Sequence, residues 1–347
     1  MGSVPARMYN DARIAVLFPG QGAQHVGMAR DLYEAFDTAR TLVDAARGVL
    51  GFDLPALMFD GPEHELTQTK NSQPAIYIAG VAAWRVLAER CPALAPAAFA
   101  GLSLGEYTAL HAAGSLTYED GLRLVRRRGE AMQAACERTT GTMASIIGLD
   151  EAAVRRVAAD AGAAGLVDVA NINCPGQIVV SGSPEGVRAA IEGAKAAGAG
   201  RAIELKVSGA FHSRLMAPAR DELAAALAQT EVKPPATTVI HNITARPATS
   251  PDSIRQSLAD QCTSPVLWQA SIETLLADGV TTFIEAGPGK VLQGLLRRIS
   301  RQATDRQTTD RQATGLGVHD LESLERTVAA LEAADPDKPE RAARRGP

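Results

Sequence analysis

Gly101-Leu-Ser-Leu-Gly105 sets a serine between two glycines, each two residues away. Just before it, Ala97-Ala-Phe-Ala100 is mostly small and apolar, as a buried strand end is, and residues 104–112 carry a helical pattern. A serine on a sharp turn from strand to helix has its hydroxyl pushed into the open, and the glycines let the neighbouring backbone approach without a Cβ clash. The helix N-terminus just beyond offers free N–H groups to a developing oxyanion. These are the requirements of a nucleophile. The chain also holds 31 glycines, so an ordinary Gly/Ser turn reads the motif equally well, and other residues have to decide.

Three other positions bear on that chemistry. Phe18-Pro-Gly-Gln-Gly-Ala-Gln24 is a glycine-rich loop after an apolar run. It fails as a dinucleotide fingerprint, because His25 stands where the third glycine belongs. It reads instead as a plain strand exit or as a loop lending the Gln21 backbone N–H to a site. Of the six histidines none has metal-ligand spacing to another. His212, in Ser208-Gly-Ala-Phe-His212, stands in a glycine-containing loop where two units of the chain join. Arg128 closes a run with Arg126 and Arg127 on a helical stretch, a pattern usually solvated. Gly129 beside it allows the close packing that would turn Arg128 inward. Glu285-Ala-Gly-Pro-Gly-Lys290 imitates a phosphate loop but lacks the first glycine and the Ser/Thr of a Walker A motif.

These residues need a scaffold, and length and pattern indicate one. The 347 residues, 46% hydrophobic and 21% charged, suit one or two globular domains. A net charge of −4 gives no general basic field for nucleic acid. The four dispersed cysteines outline no metal site and fit a reducing compartment. No apolar run suits a membrane span and residues 1–13 carry no signal-peptide core, so the expectation is a cytoplasmic protein. Arg13-Ile-Ala-Val-Leu-Phe18 reads as a buried strand, residues 28–50 as a helix, 53–69 as irregular, and 73–90 as a core helix with Pro74 in its first turn. A helix capped by Thr117 runs towards Arg138. Residues 142–207 then spell βαββαβ, the ferredoxin-like order, as an insert in a larger α/β unit. Further on, helices at 218–230, 251–261, 267–278 and 291–299 alternate with strands at 239–243 and 281–284, and residues 320–331 suit a last helix. Between residues 301 and 314 a short polar unit repeats, as in a linker.

FPGQGAQ, GLSLGEY, RRRG, NINCPGQ, GAFHSRLM and EAGPGKVL occur together and in this order. In this the chain resembles the malonyl-CoA:acyl carrier protein transacylases, including the acyltransferase components of polyketide synthases, over about residues 14–299 and again near 315–320. The resemblance implies an α/β-hydrolase-like large domain with a ferredoxin-like small subdomain. The expected division is 1–138 and 208–300 for the large domain, 139–207 for the insert, and 301–347 for a polar linker and tail.

The resemblance also implies the roles. Ser103 matches the nucleophile and His212 the base; the backbone N–H groups of Gln21 and Leu104 match the oxyanion donors. Arg128, 25 residues beyond Ser103, matches the arginine that holds the malonyl carboxylate. A backbone carbonyl at Gln261 orients the histidine in place of a triad acid, and Asn171 or Asn173 lines the site. Phe211 resembles the malonyl-selecting version and would crowd an α-methyl branch. Leu102 departs from the histidine many relatives carry there. The implied reaction is ping-pong transfer of malonyl from malonyl-CoA to the phosphopantetheine thiol of an acyl carrier protein, by a monomer, with no metal or redox cofactor. A carrier is commonly acidic, so a local basic patch is expected, with Arg126, Arg127, Arg297 and Arg298 as candidates. Two rival readings are a serine esterase or thioesterase, which would want an acid motif before His212, and a degenerate carrier-docking module.

Overall fold

The computed structural model describes residues 13–305 and 313–334. The stretch before Arg13 that was read for targeting signals, the centre of the polar repeat and the tail after residue 334 lie outside the described residues.

Strand β1 (Arg13–Phe18) is buried on both faces because its apolar run has no polar alternation. Ile14, Val16 and Phe18 enter one apolar cluster while Ala15 and Leu17 enter another on the opposite side, as the two-residue side-chain period dictates. The stretch expected as one helix over 28–50 is two, α1 (Arg30–Ala35) and α2 (Asp37–Leu50), separated by Phe36 in an extended conformation. The stretch expected to be irregular holds α3 (Leu54–Asp60) and α4 (Glu63–Leu66). The Asp53 carboxylate accepts from Ala56 N and Pro55 sits in the first turn of α3, a helix start that the Gly61-Pro62 punctuation obscured. Helix α5 (Thr69–Arg90) begins earlier than expected, so Pro74 lies inside it. Proline has no N–H for the Lys70 carbonyl one turn back; Arg126 Nη1 donates to that oxygen instead, at 2.9 Å.

After β2 (Ala98–Gly101) come α6 (Gly105–Ala112) and α7 (Tyr118–Arg138), the latter capped by Thr117, whose Oγ1 accepts from Asp120 N at 3.0 Å. The insert follows as β3 (Thr142–Ile147), α8 (Glu151–Ala161), β4 (Val167–Cys174), β5 (Gln177–Gly182), α9 (Pro184–Ala196) and β6 (Arg201–Glu204). Its four strands form an antiparallel sheet in the order β4-β5-β3-β6, the ferredoxin-like arrangement. One face carries Ala144, Ile146 and Val180 against α8 and α9; Met143 and Val179, on the other face, look towards the cavity described below.

The chain returns through α10 (Ala217–Ala228), β7 (Thr238–Val239), α11 (Pro251–Asp260), α12 (Trp268–Ala277), β8 (Val280–Ala286) and α13 (Val291–Asp305). β7 is shorter than expected because the chain turns at Ile240, which bridges Pro247. The region expected as linker and tail contributes β9 (Thr314–Val318) and α14 (Leu321–Ala333). β9 pairs with β8 and completes a parallel sheet of five strands, β7-β2-β1-β8-β9. Its pattern was weak because two of its five residues are glycines, Gly315 and Gly317, which pack closely against Leu296 and Gln293 of α13. Helices α5, α6 and α7 supply the apolar cluster on one face of this sheet, and α12 and α13 the cluster on the other. The insert is tied to the larger unit at a seam where Ile172 N of β4 donates to Val266 O, in the segment before α12, and Val266 N to Ala170 O, both at 2.9 Å.

Candidate active site

β2 ends at Gly101, and the chain turns back into α6 within a few residues. A Cβ on Gly101 would collide with the backbone of Gly105, and one on Gly105 with the carbonyl of Phe18 at the end of β1. The two glycines are therefore required by close approach. Ser103 between them adopts φ +52°, a left-handed conformation that costs a non-glycine residue energy and persists only when braced. Asn242 is the brace: its Oδ1 accepts from Ser103 N at 2.6 Å and its Nδ2 donates to Gly101 O at 2.7 Å.

His212 is the other left-handed residue of the site, at φ +58°. Its loop is tied by Ser213 Oγ, which donates to Ala210 O at 2.7 Å. Nδ1 lies 2.8 Å from Gln261 O, and since a carbonyl only accepts, Nδ1 carries the proton. Nε2 is then the acceptor that faces Ser103 Oγ at 2.9 Å. Burial first, and then the Arg128 guanidinium, push the imidazole down to about 4. It is neutral near pH 7 and free to take the serine proton.

Arg128 is 1% exposed. Gly129 makes this possible by bringing α7 against the carbonyl of Thr69 at the start of α5. Nη1 donates to Gln73 Oε1 at 2.8 Å, and Nη2 to Gln261 Oε1 at 2.9 Å and to Ser103 Oγ at 3.0 Å. The Tyr107 ring lies 5.7 Å from the guanidinium carbon, and Nε has no partner. Among the described residues no carboxylate pairs with this buried cation.

Ser103, His212 and Arg128 line one cavity of about 550 Å³, together with Gln21, Leu102, Phe211, Asn171 and Asn173. Neither Gln21 N nor Leu104 N has an internal acceptor among the described residues. No set of three histidine, cysteine, aspartate or glutamate side chains among the described residues is placed to hold a metal ion, and no described helix is long and apolar enough to cross a membrane.

Arg126, a candidate for the basic patch, is spent elsewhere: its guanidinium also pairs with Glu130 and lies over the Phe52 ring. Arg127 pairs with Glu222 at 3.4 Å, and Arg298 reaches Gln177 and the Pro175 carbonyl. Sequence reasoning missed Gln73, Asn242 and Glu106. Glu106 stands one residue after the second glycine of the motif and reads there as an ordinary acid in a first helical turn. Gln73 reads as a helix-start residue, and nothing in the sequence distinguishes Asn242.

The family model for the acyl transferase domain matches residues 16–331. The malonyl CoA-acyl carrier protein transacylase of Bacillus subtilis is 44% identical over 322 residues, covering 92% of this chain and 98% of that one. The Escherichia coli K12 protein of the same name is 43% identical over 287 residues, 83% of this chain and 93% of its own. Among solved structures, an acyl carrier protein S-malonyltransferase from Vibrio cholerae superposes with a TM-score of 0.85 at 42% identity, covering 91% of this chain and all of that one. A malonyl-transacylase solved in complex with a type II PKS acyl-carrier protein gives 0.86 at 39% identity over 92% of this chain and 100% of that one. The chain belongs to the acyl transferase family, among the malonyl-CoA:acyl carrier protein transacylases.

Proposed function

We propose that this chain moves the malonyl group from malonyl-CoA to the phosphopantetheine thiol of an acyl carrier protein, supplying units for fatty-acid or polyketide synthesis. The observation that carries the reading is Arg128: a buried guanidinium with no carboxylate partner among the described residues, 3.0 Å from the candidate nucleophile. Burying a cation unpaired is costly, and a substrate carboxylate supplies the missing charge through two parallel N–H bonds. The names of the similar transacylases support the same acyl group and acceptor.

His212 Nε2 takes the proton of Ser103 Oγ as the oxygen attacks the thioester carbonyl. The carbonyl oxygen gathers charge and accepts from the N–H groups of Gln21 and Leu104. Collapse breaks the C–S bond; the leaving CoA sulfur takes the proton from Nε2, and a malonyl ester stays on Ser103. The carrier thiol then gives its proton to Nε2 and attacks the ester, and Ser103 Oγ departs with that proton. Phe211 on the cavity wall disfavours an α-methyl branch. Every group of this machinery comes from one chain, which suits a monomer, and the four free thiols suit the cytoplasm.

Intact-mass spectrometry tests the proposal. Malonyl-CoA alone should add one malonyl to the chain, on Ser103, and a phosphopantetheinylated carrier should remove it. An adduct lost to free malonate at the same rate with and without carrier, or none at all, refutes transfer.

A further inference from the structure

Glu106 is buried, 1% exposed; its backbone N donates to Ser103 O at 3.1 Å, and the residue does not line the cavity. The reaction sequence above does not use it. Yet its carboxyl group meets three partners: His241 Nδ1 lies 2.7 Å from Oε1, and Oε2 accepts from Asn242 N at 3.1 Å and from Gln261 Nε2 at 2.7 Å.

The bond from Gln261 is the consequential one. A primary amide has a donor end and an acceptor end, and nothing in its shape chooses between them. Gln261 Nε2 also faces two other acceptors, Ser103 O at 3.1 Å and Asn242 Oδ1 at 3.3 Å. With Nε2 held among these oxygens, Oε1 must point the other way, to Arg128 Nη2. The reversed amide would set an NH2 against a guanidinium, which has no acceptor. Gln261 O meanwhile takes the proton of His212 Nδ1. Through Asn242 the same carboxylate holds the residue that braces Ser103.

We propose that Glu106 is a positioning residue for malonyl transfer: by holding Gln261 Nε2 it fixes the amide oxygen on Arg128 and keeps the guanidinium aimed at the place of the malonyl carboxylate. This rests on the malonyl reading above. The chain of contacts runs Glu106, Gln261, Arg128, and ends at the acyl group, so it bears on which acyl group is handled well. An acyl group without a carboxylate does not need the guanidinium and is affected less.

Glu106→Leu removes both carboxyl oxygens at similar volume, and with them the bond from Gln261 Nε2. The ratio of kcat/KM for malonyl-CoA to that for acetyl-CoA should fall about tenfold or more, as for loss of a hydrogen bond to a charged group. A purely structural role would lower both substrates together along with the melting temperature. Gln261→Met covers the case in which that variant does not fold. It keeps the backbone carbonyl on His212 and the side-chain volume, removes only the amide, and should lower the same ratio by a similar factor. Where both variants fold, adding Glu106→Leu to Gln261→Met should change the ratio little further. A native ratio in either single variant overturns the proposal. Should native protein take no malonyl from malonyl-CoA, the function fails on its own. A crystal structure of Glu106→Leu still tests the positioning, since Gln261 Oε1 should then have left Arg128 Nη2, and an intact contact refutes it.

Discussion

Replacing Arg128 by alanine separates binding of the acyl carboxylate from the chemistry at Ser103. Hydrogen bonds to charged groups are worth about 1.5–3 kcal/mol each, so two parallel bonds to malonyl come to about 3–6 kcal/mol. The structure argues for the lower half of that range. Nη2 already donates to Ser103 Oγ, so at that nitrogen malonyl exchanges a neutral acceptor for a charged one rather than adding a bond. A loss of about 3–4 kcal/mol corresponds to a fall of roughly two to three orders of magnitude in kcat/KM for malonyl-CoA. Acetyl-CoA has no carboxylate to place, and its kcat/KM should hold or rise, since the site no longer buries an unpaired cation. Release of CoA thiol in the presence of carrier, measured for both substrates on native and variant protein, gives the two ratios. Malonyl transfer that stays within about fivefold of native would place the carboxylate elsewhere and sink the role given to Arg128.

The acid limb of kcat/KM should lie near pH 4 rather than near 6.5, because burial and Arg128 push His212 down to about 4 and only the neutral imidazole accepts the serine proton. Activity is retained above that value and lost as pH falls through it; a limb near 6.5 contradicts the assignment. In Arg128→Ala the limb, followed with acetyl-CoA, should move to higher pH, and a limb that stays put refutes the coupling between the two groups. Asn242→Ala strips the brace from a left-handed serine and orphans Ser103 N and Gly101 O; denaturant unfolding should show a loss of about 2–3 kcal/mol, and an unchanged midpoint refutes the bracing. Phe211→Ala opens the cavity wall, so methylmalonyl transfer should gain on malonyl transfer, and an unchanged ratio removes Phe211 from selection.

What the sequence made legible follows from how far each signal reaches along the chain. The elbow is local: its glycines answer contacts with Gly105 and Phe18 that any chain making this turn must meet. The insert showed through its alternating strand and helix patterns, and β1 through its unbroken apolar run. Gln73 and Asn242 were missed because their meaning lies in partners 55 and 139 residues away. β9 was missed because it is held by its one neighbour in the sheet, β8, its own sequence offering two glycines in five residues. Pro74 misled because part of the penalty for a proline inside a helix is the carbonyl it leaves unpaired, and Arg126, from another helix, offsets that part.

The seam between Val266 and the strand Val167–Cys174 has a mechanical consequence. Two backbone bonds side by side fix the register of the insert's strand against the segment between Gln261 and α12, so sliding one past the other breaks both at once. The insert is also pinned through Arg214 to Asp168 and through Arg298 to Gln177 and the Pro175 carbonyl. Gln261 lies a few residues from Val266, so the carbonyl that orients His212 is fastened by one short segment to both units of the chain.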